Sequence, residues 1–182
     1  MPDMVSIVIL VVVLGLGLSV LVVQGVTGVP PHPSGPAEAA DVVALLREAK
    51  LPDQAVIYEL GSGWGSLAIV LAKAFPRAQI RGVEMSPLPY WVSRFRTLRM
   101  PNVSLRLGNF YNSDLRQAQA VTCYLMMGPM PKLAAFLDRE LEPGTPVVAL
   151  TFWFRDRKVS MTRSGRGLRG EAALYYWPAL RE

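Results

Sequence analysis

The sequence predicts an α/β domain, a mainly parallel sheet with helices on both faces, preceded by one N-terminal transmembrane helix. Three observations carry this: an unbroken apolar run at the N-terminus, a regular alternation of strand-length and helix-length apolar patterns from Pro36 onward, and a glycine-rich turn directly after the first predicted strand. With 182 residues, 51% apolar and 18% charged, the chain has one domain's length and the composition of neither a disordered tail nor a large multidomain enzyme.

The apolar run, Met4 to Val23, reads MVSIVILVVVLGLGLSVLVV, with Ser6 and Ser19 its only polar side chains. At about 1.5 Å per residue a helix of this length covers roughly 30 Å, the thickness of bilayer hydrocarbon. A secretory signal would carry a basic segment ahead of the run and a small-x-small cleavage site behind it. Asp3 is the only charged side chain ahead, and QGVTGVPP behind offers no such site. The expectation is therefore a retained anchor over 1–26, with a cleaved signal or a buried core helix as the competing readings. Gly15 and Gly17 are spaced by two and do not form the G-x-x-x-G helix-pairing pattern. Every Lys and Arg follows the run, beginning at Arg47. The positive-inside tendency then puts the C-terminal domain on the cytoplasmic side of the membrane, or the matrix side in a mitochondrion.

Next comes GVTGVPPHPSGP, whose four prolines and three glycines stop the helix, so 27–35 reads as a short, semi-stiff tether. His32 lies in it and reads as an exposed linker residue. The domain occupies 36–182. Ser34 is the expected cap of a helix with Glu38 and Asp41 in its first turns and Val42, Val43, Leu45 and Leu46 on its buried face. After Leu51-Pro52-Asp53 the predicted segments alternate: strand Ala55 to Leu60, helix Ser66 to Ala74, strand Gln79 to Glu84, helix Pro89 to Arg99 and strand Val103 to Leu107. Strand Ala120 to Met127, helix Met130 to Leu141 and strand Pro146 to Phe154 follow, and a last hairpin strand covers Ala173 to Trp177.

Ligands of parallel sheets bind at the carboxyl ends of the strands. The first strand ends Glu59-Leu60-Gly61-Ser62-Gly63-Trp64-Gly65, where glycines at alternate positions allow a tight turn and close approach to main-chain N–H groups. The dinucleotide fingerprint G-x-G-x-x-G/A would need Gly or Ala at position 66, which is Ser66. Glu59, two places before the first glycine, would repel a pyrophosphate and suits a cationic ligand. Glu84 ends the second strand, where a carboxylate can accept both hydroxyls of a ribose. The third strand ends Leu107-Gly108-Asn109-Phe110, an amide and a ring suited to an adenine. Singly these residues read as a helix cap, a surface strand end and a turn; together they fit one adenosine-bearing ligand.

Cys123 is the only cysteine and His32 the only histidine, so one chain cannot assemble a Cys/His metal site, a disulfide framework or a Ser–His–Asp triad. The formal charge of +5 favours anionic partners, and the segment Arg155 to Arg169 carries six basic residues against Asp156 alone. That segment reads first as a solvated connection and second as a contact with anionic lipid headgroups. Nucleic-acid binding is not expected, because the chain shows no RNA or DNA module.

At these residues the chain resembles the class I, seven-strand S-adenosylmethionine-dependent methyltransferases, whose first motif is E/D-x-G-x-G-x-G and whose second is an acidic residue ending the second strand. The resemblance covers about Pro36 to Trp153 and implies a Rossmann-like seven-strand methyltransferase sheet. More narrowly, an apolar anchor followed by ELGSGWG, GVEMSPLPYWVSRFR, GNFYNSDL and CYLMMGPM is similar to the small membrane-anchored protein-lysine methyltransferases. The mitochondrial members of that family modify the adenine nucleotide translocase and the c-subunit of the ATP synthase. Trp64, Ser86 and Asn109 stand where those relatives commonly carry other residues.

The resemblance implies S-adenosyl-L-methionine as cofactor, with Gly61, Ser62, Gly63, Trp64 and Gly65 around its amino-acid end and Glu59 near its ammonium or a positioning water. It implies that Glu84 holds the ribose while Met85, Asn109 and Phe110 frame the adenine. The reaction implied is in-line attack of a neutral lysine amine on the sulfonium methyl, on a protein substrate associated with the membrane. Tyr124, Met126, Met127 and Pro129, with Met130, are the candidate channel for the lysine stem, the plain alternative being core packing. The D/N-P-P-Y/F motif of many base and glutamine methylases is absent after the fourth strand. Two rival readings stay open: a cofactor-binding membrane scaffold without turnover, and a methyltransferase for a lipid or small molecule.

Overall fold

A computed structural model of the chain describes residues 3–27, 35–125, 127–164 and 170–180. Seven strands form one sheet: β1 (Val56–Leu60), β2 (Gln79–Glu84), β3 (Val103–Leu107), β4 (Ala120–Cys123), β5 (Pro146–Leu150), β6 (Met161–Arg163) and β7 (Ala172–Tyr176), in spatial order β3-β2-β1-β4-β5-β7-β6. The first five are mutually parallel, and β7 runs antiparallel between β5 and β6. The helices are α1 (Met4–Thr27), α2 (Pro36–Glu48), α3 (Ser66–Ala74), α4 (Pro87–Arg96) and α5 (Met130–Glu140).

Both faces of the sheet are covered, so β4 and β5 are buried at every position and β1 at all but Val56. Alternate residues feed two cores. Ile57, Ile80, Ala120, Val148 and Leu174 pack with α2 and α3 through Val42, Leu45, Leu46, Leu67 and Leu71. Tyr58, Leu60, Val121, Val147 and Tyr175 pack with α5 through Leu133, Phe136 and Leu137. The same alternation sends Glu59 to the α3 side of β1, which places a carboxylate under the start of that helix.

Several boundaries differ from expectation for identifiable reasons. Gly35, not Ser34, caps α2, and the Glu38 carboxylate accepts the Gly35 N–H at 2.7 Å; Ser34 lies outside the described residues. Helix α4 starts at Pro87, because Ser86 holds an extended conformation and a proline suits the first helical turn. Strands β4 and β5 end at Cys123 and Leu150, short of Met127 and Phe154. Beyond Leu150 the ring of Phe154 turns inward onto Tyr175 and Trp177, with centroids 5.3 and 5.0 Å away.

The basic segment Arg155 to Arg169 is not a uniformly solvated connection. It contains β6, and Arg157 is only 9% exposed. Its guanidinium pairs with Asp138 of α5 at 2.6 Å, donates to the Pro178 carbonyl at 3.0 Å and lies 4.8 Å from the Trp177 ring centre. Arg163 lies 3.9 Å from Glu48, while Arg166 and Arg169 fall outside the described residues. Arg157→Ala leaves Asp138 without this partner and uncovers Trp177. Asp138 keeps some solvent access, so the expected loss is about 2 to 3 kcal/mol, read as a lower denaturant midpoint at unchanged slope.

Helix α1 has 24 residues and is in contact with α4. Its described apolar side chains, Met4 to Leu14 with Leu18 and Val22, are uncovered by any core. The transmembrane helix expected over 1–26 is not shown: among the described residues no helix is long and apolar enough to cross a membrane. The side chains at 16, 19–21 and 23–27 of α1, and the tether at 28–34 with His32, lie outside the description.

Candidate active site

The carboxyl ends of β1, β2 and β3 lie side by side, and the site is built there. Gly61 and Ser62 both donate their N–H groups to the Val83 carbonyl, at 2.9 and 3.1 Å, which folds the end of β1 over the end of β2. The chain then turns through Gly61, Gly63 and Gly65 at φ of 80, 51 and 77°, a region that side chains rarely tolerate. A Cβ on Gly65 would sit 2.8 Å from the Cβ of Ser93 in α4, whereas one on Gly63 would meet nothing within 4 Å. One glycine is thus needed for packing, and the other faces open space. Gly65→Ala combines left-handed strain with overpacking and is expected to cost about 2 to 4 kcal/mol of stability. A thermal melt of the variant checks it; an unshifted midpoint would contradict this account of the turn.

Glu84 is 8% exposed and locked by backbone donors. Its Oε2 accepts the Gly63 N–H at 2.8 Å and its Oε1 accepts the Ser86 N–H at 2.7 Å. Each oxygen keeps lone-pair capacity, so the carboxylate is held in one orientation yet can still accept two hydroxyls. Glu59 is 4% exposed, and its Oε2 is buried with no hydrogen-bond partner. Burial pushes its carboxyl well above the usual range, and the nearby charge of Glu84 adds to the effect. A backbone hydrogen bond from Ala68 in α3 opposes it. Glu59 is thus a buried carboxyl with one oxygen that makes no hydrogen bond, near the charge of Glu84.

The third strand end joins them through the Gly108 N–H, which donates to the Glu84 carbonyl at 2.8 Å. Asn109 spends its Oδ1 on the Tyr111 N–H at 3.0 Å, capping a 3₁₀ turn over Phe110–Asn112, and leaves its Nδ2 to donate. Phe110 is half-buried within an aromatic cluster, 4.4 Å from the Tyr111 ring centre and 6.5 Å from that of Phe136. Met85 is half-buried behind Glu84.

The suggested lysine channel is less unified. Tyr124 is half-buried against the α2–α3 core, Met130 is core and Pro129 caps α5. Met127 is 52% exposed, its sulfur accepting from Arg155 at 3.4 Å, and Met126 lies outside the described residues. At the end of β5, Thr151 holds φ of 68° with its hydroxyl oxygen buried and unpartnered. Strain of this kind in a β-branched residue costs about 1 to 3 kcal/mol and gathers at functional edges.

Sequence reasoning missed the braces of the loop. Arg96 of α4 donates to the Trp64 carbonyl at 2.5 Å and lies 3.3 Å from the Ser66 hydroxyl, and Ser93 supplies the close contact with Gly65. Gly82 is fixed similarly, since a Cβ there would meet Leu105 at 2.5 Å and Ser62 at 3.0 Å. Only a fold that lays α4 against the loop brings these residues together.

A parallel five-strand sheet closed by a reversed hairpin, with a glycine turn and two buried carboxyls, Glu59 and Glu84, at adjacent strand ends, is the class I methyltransferase architecture. Comparison with known proteins narrows the class. The sequence profile of the ANTKMT methyltransferase domain matches residues 59–161. A protein-lysine N-methyltransferase of Saccharolobus islandicus is 32% identical over 136 residues, 70% of this chain and 81% of that protein. The mouse ATP synthase C-subunit lysine N-methyltransferase is 33% identical over 131 residues, 69% of this chain and 49% of the mouse protein, so the match spans about half of its length. Among solved structures, an RNA methyltransferase from Salinibacter ruber in complex with S-adenosyl-L-homocysteine superposes with a TM-score of 0.70 at 26% identity, covering 79% of this chain and 92% of that one. The chain belongs to the ANTKMT methyltransferase domain family.

Proposed function

We propose that this protein transfers a methyl group from S-adenosyl-L-methionine to a lysine side chain of a protein substrate. The observation that supports the cofactor is the pair of buried carboxyls at adjacent strand ends: Glu84, which accepts the Gly63 N–H at 2.8 Å, and Glu59, whose Oε2 has no hydrogen-bond partner. Lysine as the acceptor is supported by the family and by relatives named for protein-lysine methylation.

S-adenosyl-L-methionine supplies a sulfonium methyl as the electrophile. The chain's part is binding and orientation. Glu84 would hold the ribose hydroxyls, Glu59 would face the cationic end, the main chain of Gly61 to Gly65 would shape the cradle, and Asn109 would offer an amide donor to the adenine. The acceptor amine must arrive neutral, although free lysine holds its proton to about pH 10.4. Burial of the lysine stem on the way to the site would strip water from the ammonium and lower that value. No acidic general base is needed at the acceptor.

Helix α1 serves as a membrane anchor, with the domain on the cytoplasmic side, or the matrix side in a mitochondrion. Its unbroken apolar sequence and the uncovered side chains of Met4 to Leu14 support this reading, as does the placement of every Lys and Arg after it. Anchoring would confine the enzyme to the surface where a membrane-associated substrate lies.

The test is incubation of the full chain with methyl-labelled S-adenosylmethionine and membrane protein extract. Label recovered as methyl-lysine after hydrolysis is the expected result. Label in the organic phase would select a lipid or small-molecule acceptor, and cofactor binding with no label transferred would select the scaffold. Alkaline carbonate extraction checks the anchor, whose retention in the pellet is expected.

A further inference from the structure

Helix α4 carries its large apolar residues on the wrong side for a helix of a free-standing domain. Pro89, Ser93 and Thr97, one above the other at i, i+4 and i+8, are the buried positions. Two of them are small and polar and satisfy themselves locally, Ser93 through the Tyr90 carbonyl at 2.8 Å and Thr97 through the Ser93 carbonyl at 2.9 Å. This small inner face lets α4 approach Gly65 closely. Outward stand Trp91 and Phe95, at i and i+4, with Leu98 in the turn just past the helix; they remain 61, 75 and 60% exposed. Ordinary surface amphipathicity is the reverse, with large apolar residues inward.

Charge completes the pattern. Arg94 and Arg99 flank the aromatic stripe, exposed and without an ion pair among the described residues. Between Glu84 and Asp114 the sequence holds four arginines and no Asp or Glu. Aromatic and aliphatic side chains edged by arginine make the surface of an interfacial helix, with rings at headgroup depth and guanidinium groups on phosphates. Helix α1, whose described apolar side chains are exposed, is in contact with α4.

We infer that the outer face of α4 and of the turn that follows it, formed by Trp91, Arg94 and Phe95 with Leu98 and Arg99, rests on an anionic lipid bilayer. The inference deepens the proposed membrane location and shares its premise that the chain works at a bilayer. It also gives that surface a route to the site, because Arg96 on the same helix holds the Trp64 carbonyl of the glycine loop. A single-stranded RNA could stack on the same rings, but the adjoining apolar α1 favours lipid.

The test reconstitutes the full chain into vesicles of phosphatidylcholine alone, or of equal parts phosphatidylcholine and phosphatidylglycerol, with bromine on the acyl chains near the headgroups. Tryptophan quenching then reports contact with lipid. Of the four tryptophans, Trp177 is buried and Trp64 and Trp153 are half-buried. Trp91→Phe is therefore expected to remove most of the quenchable emission. Phosphatidylglycerol should increase the quenching, and Arg94→Gln combined with Arg99→Gln should abolish that increase. Quenching that survives Trp91→Phe unchanged overturns the inference, as does Trp91 emission that responds to single-stranded RNA or to protein concentration and not to the vesicles. Failure of the anchor is distinguishable, since release by alkaline carbonate with Trp91 still quenched at neutral pH would remove α1 from the membrane and leave α4 on it.

Discussion

Replacing Glu84 by alanine is expected to weaken S-adenosylmethionine binding by about 3 to 5 kcal/mol, a loss of two to three orders of magnitude or more. Two hydrogen bonds from ribose hydroxyls to a carboxylate are charge-assisted and contribute about 1.5 to 3 kcal/mol each. The same substitution removes the acceptor of the Gly63 and Ser86 N–H groups, so the cradle loosens as well. Glu84→Gln separates the two effects, because its amide oxygen can still accept from one backbone donor while the charge is gone. The measurement is calorimetric affinity beside the thermal midpoint of each variant. An affinity loss far exceeding the stability loss supports ribose binding, and an unchanged affinity would remove Glu84 from the site.

The second large effect concerns Glu59 and pH. Its carboxyl in the free fold titrates well above the usual range because burial disfavours the charge, with Glu84 adding repulsion. An unfolded glutamate titrates near pH 4.3. The folded value is the higher one, so Glu59's contribution to stability is full below about pH 4.3 and is lost as pH rises toward the folded value. A cation at Oε2 reverses the preference and favours the carboxylate. Cofactor binding should therefore release a proton, and affinity should rise with pH across that same window. Glu59→Gln is expected to steady the free protein at alkaline pH, weaken cofactor binding and flatten its pH dependence. Titration in buffers of different ionisation heat reads the proton directly; equal heats in all buffers for the natural chain would contradict the assignment.

Much of this was legible in the sequence where local chemistry sets the structure. The expected limits of α3, β2 and β3 match the structure because each follows a strong turn signal: the glycine turn before Ser66, the proline turn before Gln79 and Met100-Pro101-Asn102 before Val103. Glu84 and the glycine turn could be singled out because a strand end followed by glycines has few other uses. Their bonds to each other could not, since Gly63 and Glu84 are 21 residues apart and meet only across two parallel strands. Strand β6 left no trace because its three residues are all exposed and show no alternation. Arg157 read as solvent-facing in a basic run, and only tertiary packing beside Asp138 and Trp177 makes it internal. The α4 stripe was hidden for the opposite reason: Trp91, Phe95 and Leu98 have helical spacing, which reads as core until the structure shows that Ser93 and Thr97 occupy the inner face.

The most direct test of the central claim is calorimetric titration of S-adenosylmethionine, and separately of NAD, into the full chain held in lipid nanodiscs. The account predicts saturable binding of the sulfonium cofactor at one site per chain, lost in Glu84→Ala, and no binding of NAD. Binding of NAD, or of neither compound, would contradict it.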